Sequence, residues 1–284
     1  MKTTPLLLEK LSFSYPSDPD NLVFKSLSAR ISLDCETLVL GGNASGKTTL
    51  ARLLGGLDEP AEGRILWPPQ TGQSTDDHRW VPLRAGVVFE NPRFQFQSFT
   101  VKGELEAGLI YRGAGSSERR RALGRVAEEL GLEPYLEMEV NDLEAPLQLA
   151  VLVAGFLLLA PRLLVLDFSL TLLERTFRES LLRLCRAPSG PALVVLSRRA
   201  DDLALVGPQA GVFVLGQAQL KELSASRDNP RALEILENAD ILLPWYAYLA
   251  AGFFEQGLTG AIFYESEKEL AREITDGLRR RKRV

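Results

Sequence analysis

A lysine and a threonine that close a glycine-rich run are the residues best equipped for chemistry in this 284-residue chain. The run is Gly41-Gly42-Asn43-Ala44-Ser45-Gly46-Lys47-Thr48, and it fits G-x-x-x-x-G-K-[ST]. Glycines let a backbone wrap round an anion so that several N–H groups point inward. The amino end of a following helix adds partial positive charge. Lys47 would neutralise terminal phosphates, the Thr48 hydroxyl would ligate Mg2+, and Thr49 continues the same turn. A second residue completes the set. Asp167 ends the apolar run Leu163-Leu164-Val165-Leu166. An aspartate at the carboxyl end of a buried parallel strand stands beside such a loop and can hold the magnesium through water. Together these residues call for a magnesium-bound nucleoside triphosphate, with ATP and Mg2+ as the expected cofactors.

The elements needed to position them are legible. Residues 6–40 read as strands broken by the turn Pro16-Ser17-Asp18-Pro19-Asp20, and Leu38-Val39-Leu40 feeds the glycine run. Lys47–Leu54 has helical character. Trp67–Arg79 reads as a loop, and Gly86–Phe89 as a short buried strand. Val101–Tyr111 and Glu118–Leu132 carry helical periodicity, with Ser116 or Ser117 as the cap of the second. Gln148–Leu159 is apolar nearly all round, hence a buried helix. Leu163–Leu166, Leu193–Leu196 and Val212–Leu215 are all-apolar strands of the kind found in a sheet covered on both faces. The expected fold is α/β: a P-loop NTPase domain over residues 1–222, with a helical subdomain at about 100–160. Beyond Leu223 the character shifts to short helices at 230–238, 245–256 and 266–281. Residues 223–284 therefore read as a small, separate α-rich extension.

Composition sets outer bounds. Hydrophobic residues at 45% and charged residues at 25% are ordinary for a globular chain. A net charge of −4 gives no nucleic-acid signal. Only Arg279–Arg283 is strongly basic, and it reads as a solvated helix end or a contact with an anionic surface. Cys35 and Cys185 lack metal-type spacing, and a reducing compartment fits them. The apolar stretch 143–173 is cut by Pro146, Gln148, Pro161, Arg162 and Asp167 into pieces too short to cross a bilayer, so any work at a membrane is done through a partner.

At this point the chain resembles the ATPases of ABC transporters, and among them those of energy-coupling factor (ECF) importers of vitamins and metal ions. Leu11-Ser12-Phe13-Ser14-Tyr15-Pro16 is similar to the family opening, whose tyrosine stacks on adenine. Gly86-Val87-Val88-Phe89-Glu90-Asn91-Pro92, followed by Phe94-Gln95-Phe96, is similar to the Q-loop stretch. Leu243-Pro244 and the closing helix resemble the ECF carboxyl-terminal extension. The resemblance implies a peripheral protein at the cytoplasmic face of the membrane. Its implied partners are a second ATPase, a transmembrane coupling subunit and a substrate-binding membrane subunit.

The departures from the family pattern are as informative. The glutamate that positions the attacking water is replaced by Phe168, which cannot orient water. The Q-loop glutamine is Glu90. The LSGGQ signature, which acts on the partner's nucleotide, reads Leu143-Glu144-Ala145-Pro146-Leu147, with an anion where the phosphate-binding serine belongs and a proline that lacks an N–H. The switch histidine is Arg198, and the one histidine, His78, lies before Glu90 in the chain and cannot replace it. The D-loop reads Thr171-Leu172-Leu173-Glu174. No catalytic residue is intact, whereas the binding loop and Asp167 are. The expectation is an ATP-binding subunit of weak or absent hydrolysis, paired with an intact ATPase. A non-catalytic, ATP-dependent regulatory module remains the alternative, and a P-loop kinase is disfavoured by the Phe-Glu-Asn-Pro stretch.

Overall fold

Alternate residues of the central strands enter two different hydrophobic cores, which is what makes the apolar runs continuous. Leu38 and Leu40 face one core and Val39 the other. Leu164 and Leu166 oppose Leu163 and Val165 in the same way, as Leu193 and Val195 oppose Val194 and Leu196. A strand of period two needs apolar side chains on both faces only when both faces of the sheet are covered. The computed structural model describes residues 5–69, 84–223, 231–256, 258–264 and 266–281. His78, the loop from Gln70 onward, and Lys282-Arg283 lie outside the described residues.

The amino-terminal strands β1 (Leu6–Phe13) and β2 (Phe24–Ile31) pair antiparallel, and β4 (Glu62–Leu66) joins β1 on its other side. Between them in sequence come β3 (Thr37–Leu40) and α1 (Lys47–Leu54). The larger sheet adds β5 (Ala85–Phe89), β6 (Leu163–Asp167), β7 (Ala192–Ser197), β8 (Gly211–Gly216) and β9 (Gln219–Glu222). Its order is β5-β6-β7-β3-β8-β9, parallel except for the final β8–β9 pair. The small sheet and α1 cover one face. Helices α2 (Val101–Tyr111), α3 (Ser116–Leu130), α4 (Ala145–Leu158) and α5 (Arg175–Arg186) cover the other. A short α6 (Asp202–Leu205) follows β7.

Two helix starts differ from the sequence reading. Gly115, extended at φ −67° and ψ 157°, opens α3, so Ser116 and Ser117 already sit in the first turn and cannot cap it. Helix α4 begins at Ala145 rather than Gln148, because a proline in the first turn lacks only an N–H that the helix would leave unpaired there. Thr100 does cap α2, accepting from the Gly103 N–H at 3.1 Å. Among the described residues no helix is long and apolar enough to cross a membrane.

The carboxyl-terminal helices α7 (Arg231–Asn238), α8 (Tyr246–Glu255) and α9 (Glu267–Arg281) form where the sequence places them. They are not a detached unit. Ala232, Leu233, Leu236, Ile241, Ala247 and Ala251 belong to the same buried cluster as β7 and α4. Among the described residues, Tyr246, Ala250, Tyr264 and Leu270 make a small core of their own. Because Leu236 is fully buried in the shared core, Leu236→Ala should cost about 2–4 kcal/mol of global stability. Thermal unfolding should show one transition moved down as a whole; an unmoved main transition would show that the helices fold apart from the sheet.

Candidate functional site

Strand β3 ends between β7 and β8, so the chain leaves it at the carboxyl edge of a parallel sheet, where α/β proteins place their ligands. The Gly41 N–H donates to the Ser197 carbonyl at 3.0 Å and pins the loop to β7. Ala44 (φ 55°) and Gly46 (φ 99°) then take left-handed backbone, a turn conformation of the kind that can aim backbone amides at an anion. A side chain on Gly41 would meet Ser45 Oγ, and one on Gly46 would lie 2.9 Å from the Phe24 ring and from Val23. The loop is close-packed behind, and Asn43 and Ala44 are exposed in front.

Lys47 Nζ reaches back to donate to the carbonyls of Gly41 (2.9 Å) and Gly42 (2.7 Å). Burial lowers its pKa. The charges of Asp167, Glu90 and Asp240 act against that, and Arg198 adds to it. Thr48 Oγ1 donates to Asp167 Oδ2 at 2.6 Å. Burial pushes the Asp167 carboxyl up to about 6, against the Thr48 hydrogen bond and the Lys47 charge, and Glu90 adds to the rise. The Ser45 hydroxyl is buried and has no hydrogen-bond partner. An orphaned donor, loop amides, an ammonium group and a hydroxyl–carboxylate pair are the donor set that a magnesium-bound polyphosphate requires. The residues fit the group: Lys47, Ser45 and the loop amides toward phosphate, Thr48 and Asp167 toward the cation.

The sequence residues outside the loop fall into four places. Tyr15 lies against α1, with its hydroxyl 2.8 Å from Thr49 Oγ1 and its ring edge-on to Phe13. Thr49 is buried, so its hydroxyl serves Tyr15. Phe168 is 3% exposed and packed among the helical-side core residues. Glu90 is exposed at the end of β5, yet its charge is felt at both Lys47 and Asp167. The amide of Gln95 cannot stand in for a glutamine there. It accepts from the Phe89 N–H and donates to the Val87 carbonyl, both at 2.8 Å, and so is committed to β5. Leu143 is buried, while Glu144, Ala145 and Pro146 form the exposed amino end of α4, in the helical layer.

Two features had no signal in the sequence. Arg198 is held by Asp240, donating from Nη2 to both carboxylate oxygens at 3.2 Å. Asp202 is completely buried beneath the segment after Asp167. Burial pushes its carboxyl up to about 6 against the pull of the Ser197 and Ser169 hydroxyls and the Leu170 amide.

The sequence profile of the ABC transporter family matches residues 24–169, just over half the chain, from β2 through the phosphate loop to the residue two past Asp167. The chain belongs to the ABC transporter family. Its likeness to individual relatives runs over a longer span. It is 26% identical to the energy-coupling factor transporter ATP-binding protein EcfA1 of Streptococcus thermophilus, over 95% of this chain and 98% of that one. It is 29% identical to the EcfA1 of Halalkalibacterium halodurans, over 69% and 70%. Among solved structures, cbiO1 of Clostridium perfringens, part of the ABC transporter complex cbiONQ, shares 23% identity at a TM-score of 0.61, covering 76% of this chain and 86% of that one. A nucleotide-free ATP-binding cassette from an ABC transporter aligns at TM-score 0.63 with 18% identity, covering 81% and 98%. These last two likenesses concern the fold. In this ABC chain the matched segment contains both the loop and Asp167.

Two outcomes can be measured, the first drawn from the geometry and the second from the resemblance of Tyr15 to the family's adenine-stacking tyrosine. A carboxyl raised to about 6 from 3.8 favours folding below its unfolded pKa, and that advantage is lost as pH rises through about 6. Above that pH the buried Asp167 charge is a cost. Asp167→Asn should therefore stabilise the protein by about 1–3 kcal/mol at pH 7.5 and little at pH 4, measured by denaturant unfolding without nucleotide. It should at the same time weaken magnesium-dependent nucleotide binding. Tyr15→Ala should weaken ATP binding several-fold, since aromatic stacking contributes on the order of 1 kcal/mol, and leave inorganic triphosphate unaffected. Equal losses for both ligands would place the base elsewhere.

Proposed function

We propose that this chain is the ATP-binding subunit of an ECF-type importer, that it holds Mg-ATP without cleaving it, and that it works beside a competent ATPase. The observation that carries the reading is the contrast on either side of one peptide bond. Asp167 points at Thr48 in an intact cation seat, while the next residue, Phe168, is buried in the core and brings no base to the water position. Arg198, in the place of the switch histidine, is engaged by Asp240. Likeness to EcfA1 proteins over nearly the whole chain supports the ECF assignment.

Each ABC site is built from the phosphate loop of one subunit and the signature of the other. Two copies of this chain would place Glu144 beside each γ-phosphate and supply no water-positioning glutamate at either. The like charge would oppose closure on ATP, and without loss of the γ-phosphate contacts nothing would reopen the pair. A competent partner brings the glutamate and histidine to one of the two sites, although Glu144 of this chain would still slow it. A coupling subunit and a substrate-binding subunit in the membrane complete the assembly, which holds this chain at the cytoplasmic face.

Mass analysis of the complex isolated at endogenous level should find one copy of this chain with one different ATPase. A transport-competent complex with two copies and no other ATPase would contradict the pairing. Phe168→Glu alone should leave phosphate release at the background of the parent chain, because Arg198, Glu90 and Glu144 remain and groups that act as a unit are not additive. Robust release by that single variant would show that the other departures matter little.

A further inference from the structure

Asp240 and Arg198 meet beside the phosphate loop, and nothing in the binding chemistry above uses that pair. The carboxylate is delivered by a built turn. Asp240 takes left-handed backbone at φ 55° just past the end of α7. Its N–H donates to the Glu237 carbonyl (3.0 Å) and the Ile241 N–H to the Leu236 carbonyl (3.1 Å), the two-bond pattern that terminates a helix at such a residue. Leu236 and Ile241 are buried beneath the turn. The main chain beyond it is stitched to the switch segment. The Leu242 N–H donates to the Arg198 carbonyl at 2.7 Å, and the Ala200 N–H to the Leu242 carbonyl at 2.9 Å. On the loop side, a Cβ on Gly42 would stand 2.8 Å from Asp240 Cβ and from the Ala239 carbonyl, and 3.0 Å from Asp240 Oδ2. Only a glycine lets the end of α7 come this close. A carboxylate thus borders the second residue of the phosphate loop, within electrostatic reach of Lys47, and is held there by the guanidinium in the switch position.

The geometry points to Asp240 as a built-in rival of the terminal phosphate of ATP, with Arg198 as the cation for which both compete. The inference rests on the reading of this loop as a nucleotide site. The planar fork of a guanidinium such as Arg198 matches either a carboxylate or a phosphate. Its pair with Asp240 is largely solvated, with side chains 30% and 69% exposed, and such pairs are weak. A γ-phosphate carries more charge and would take Arg198, whereas ADP has no phosphate at that place. ATP, and not ADP, would then separate Arg198 from Asp240 and loosen the stitched segment at Leu242. The carboxyl-terminal helices would report which nucleotide is bound.

The test uses the full chain with Mg-ATP and Mg-ADP as probes, by calorimetry and by amide hydrogen exchange at Ala200 and Leu242. Asp240→Asn keeps the turn, since asparagine also accepts left-handed backbone. It should tighten ATP about five-fold and ADP by less than about two-fold, and the gain should shrink at high salt. Arg198→Gln should erase most of the preference for ATP over ADP. In the parent chain ATP should speed exchange at Leu242 and Ala200, and ADP should not. If the parent chain binds ATP and Asp240→Asn binds it no tighter, or tightens both nucleotides equally, the rivalry is overturned while the nucleotide site stands. If the parent and both variants bind neither nucleotide, the site reading fails and the inference with it.

Discussion

The hydrogen bond from Thr48 Oγ1 to Asp167 Oδ2 joins the amino end of α1 to the carboxyl end of β6, and the functional geometry of the chain depends on it. It can form only if β3 and β6 run parallel in one sheet, on either side of β7, with their carboxyl ends level. That arrangement requires helices on one face and the antiparallel strands with α1 on the other, which in turn demands the unbroken apolar strands the sequence shows. The bond works against an electrostatic cost. Burial favours the protonated form of the Asp167 carboxyl and the Thr48 hydrogen bond opposes that, and such tension is ordinary where a cation is to be received.

The charges around this bond are of both signs. Lys47 and Arg198 are the cations, and Asp167, Glu90 and Asp240 are the anions that act on Lys47. Two of those anions, Glu90 and Asp240, add negative charge beside a seat for a polyanion. Phe168 meanwhile contributes packing to the core, where a catalytic carboxylate would have to remain charged beside apolar neighbours.

Much of this was legible in the sequence because the signals were local. The glycine run fixes its own backbone, and the strands announce themselves as all-apolar runs. The helices α2 and α7 to α9 appear close to their expected places. Helix starts were less legible, since Pro146 and Gly115 each permit the helix to begin earlier than periodicity suggests. Least legible were contacts between distant segments. No local pattern singles out Asp240, and only the fold brings it beside Gly42 and Arg198. Asp202 carries no signal in the sequence, and it is fully buried only in the fold. The composition change at Leu223 carried no sign that α7 shares the main core.

The central claim is that the site keeps ATP whole. The most direct measurement is the identity of the nucleotide held by the purified chain after prolonged incubation with Mg-ATP, rapid desalting and acid extraction. The account predicts recovery of intact ATP, with bound nucleotide lost when Lys47 is replaced by alanine. Recovery of bound ADP with release of phosphate at roughly 1 s⁻¹ or faster, the pace of ordinary enzymes, and abolished by Lys47→Ala, would contradict it.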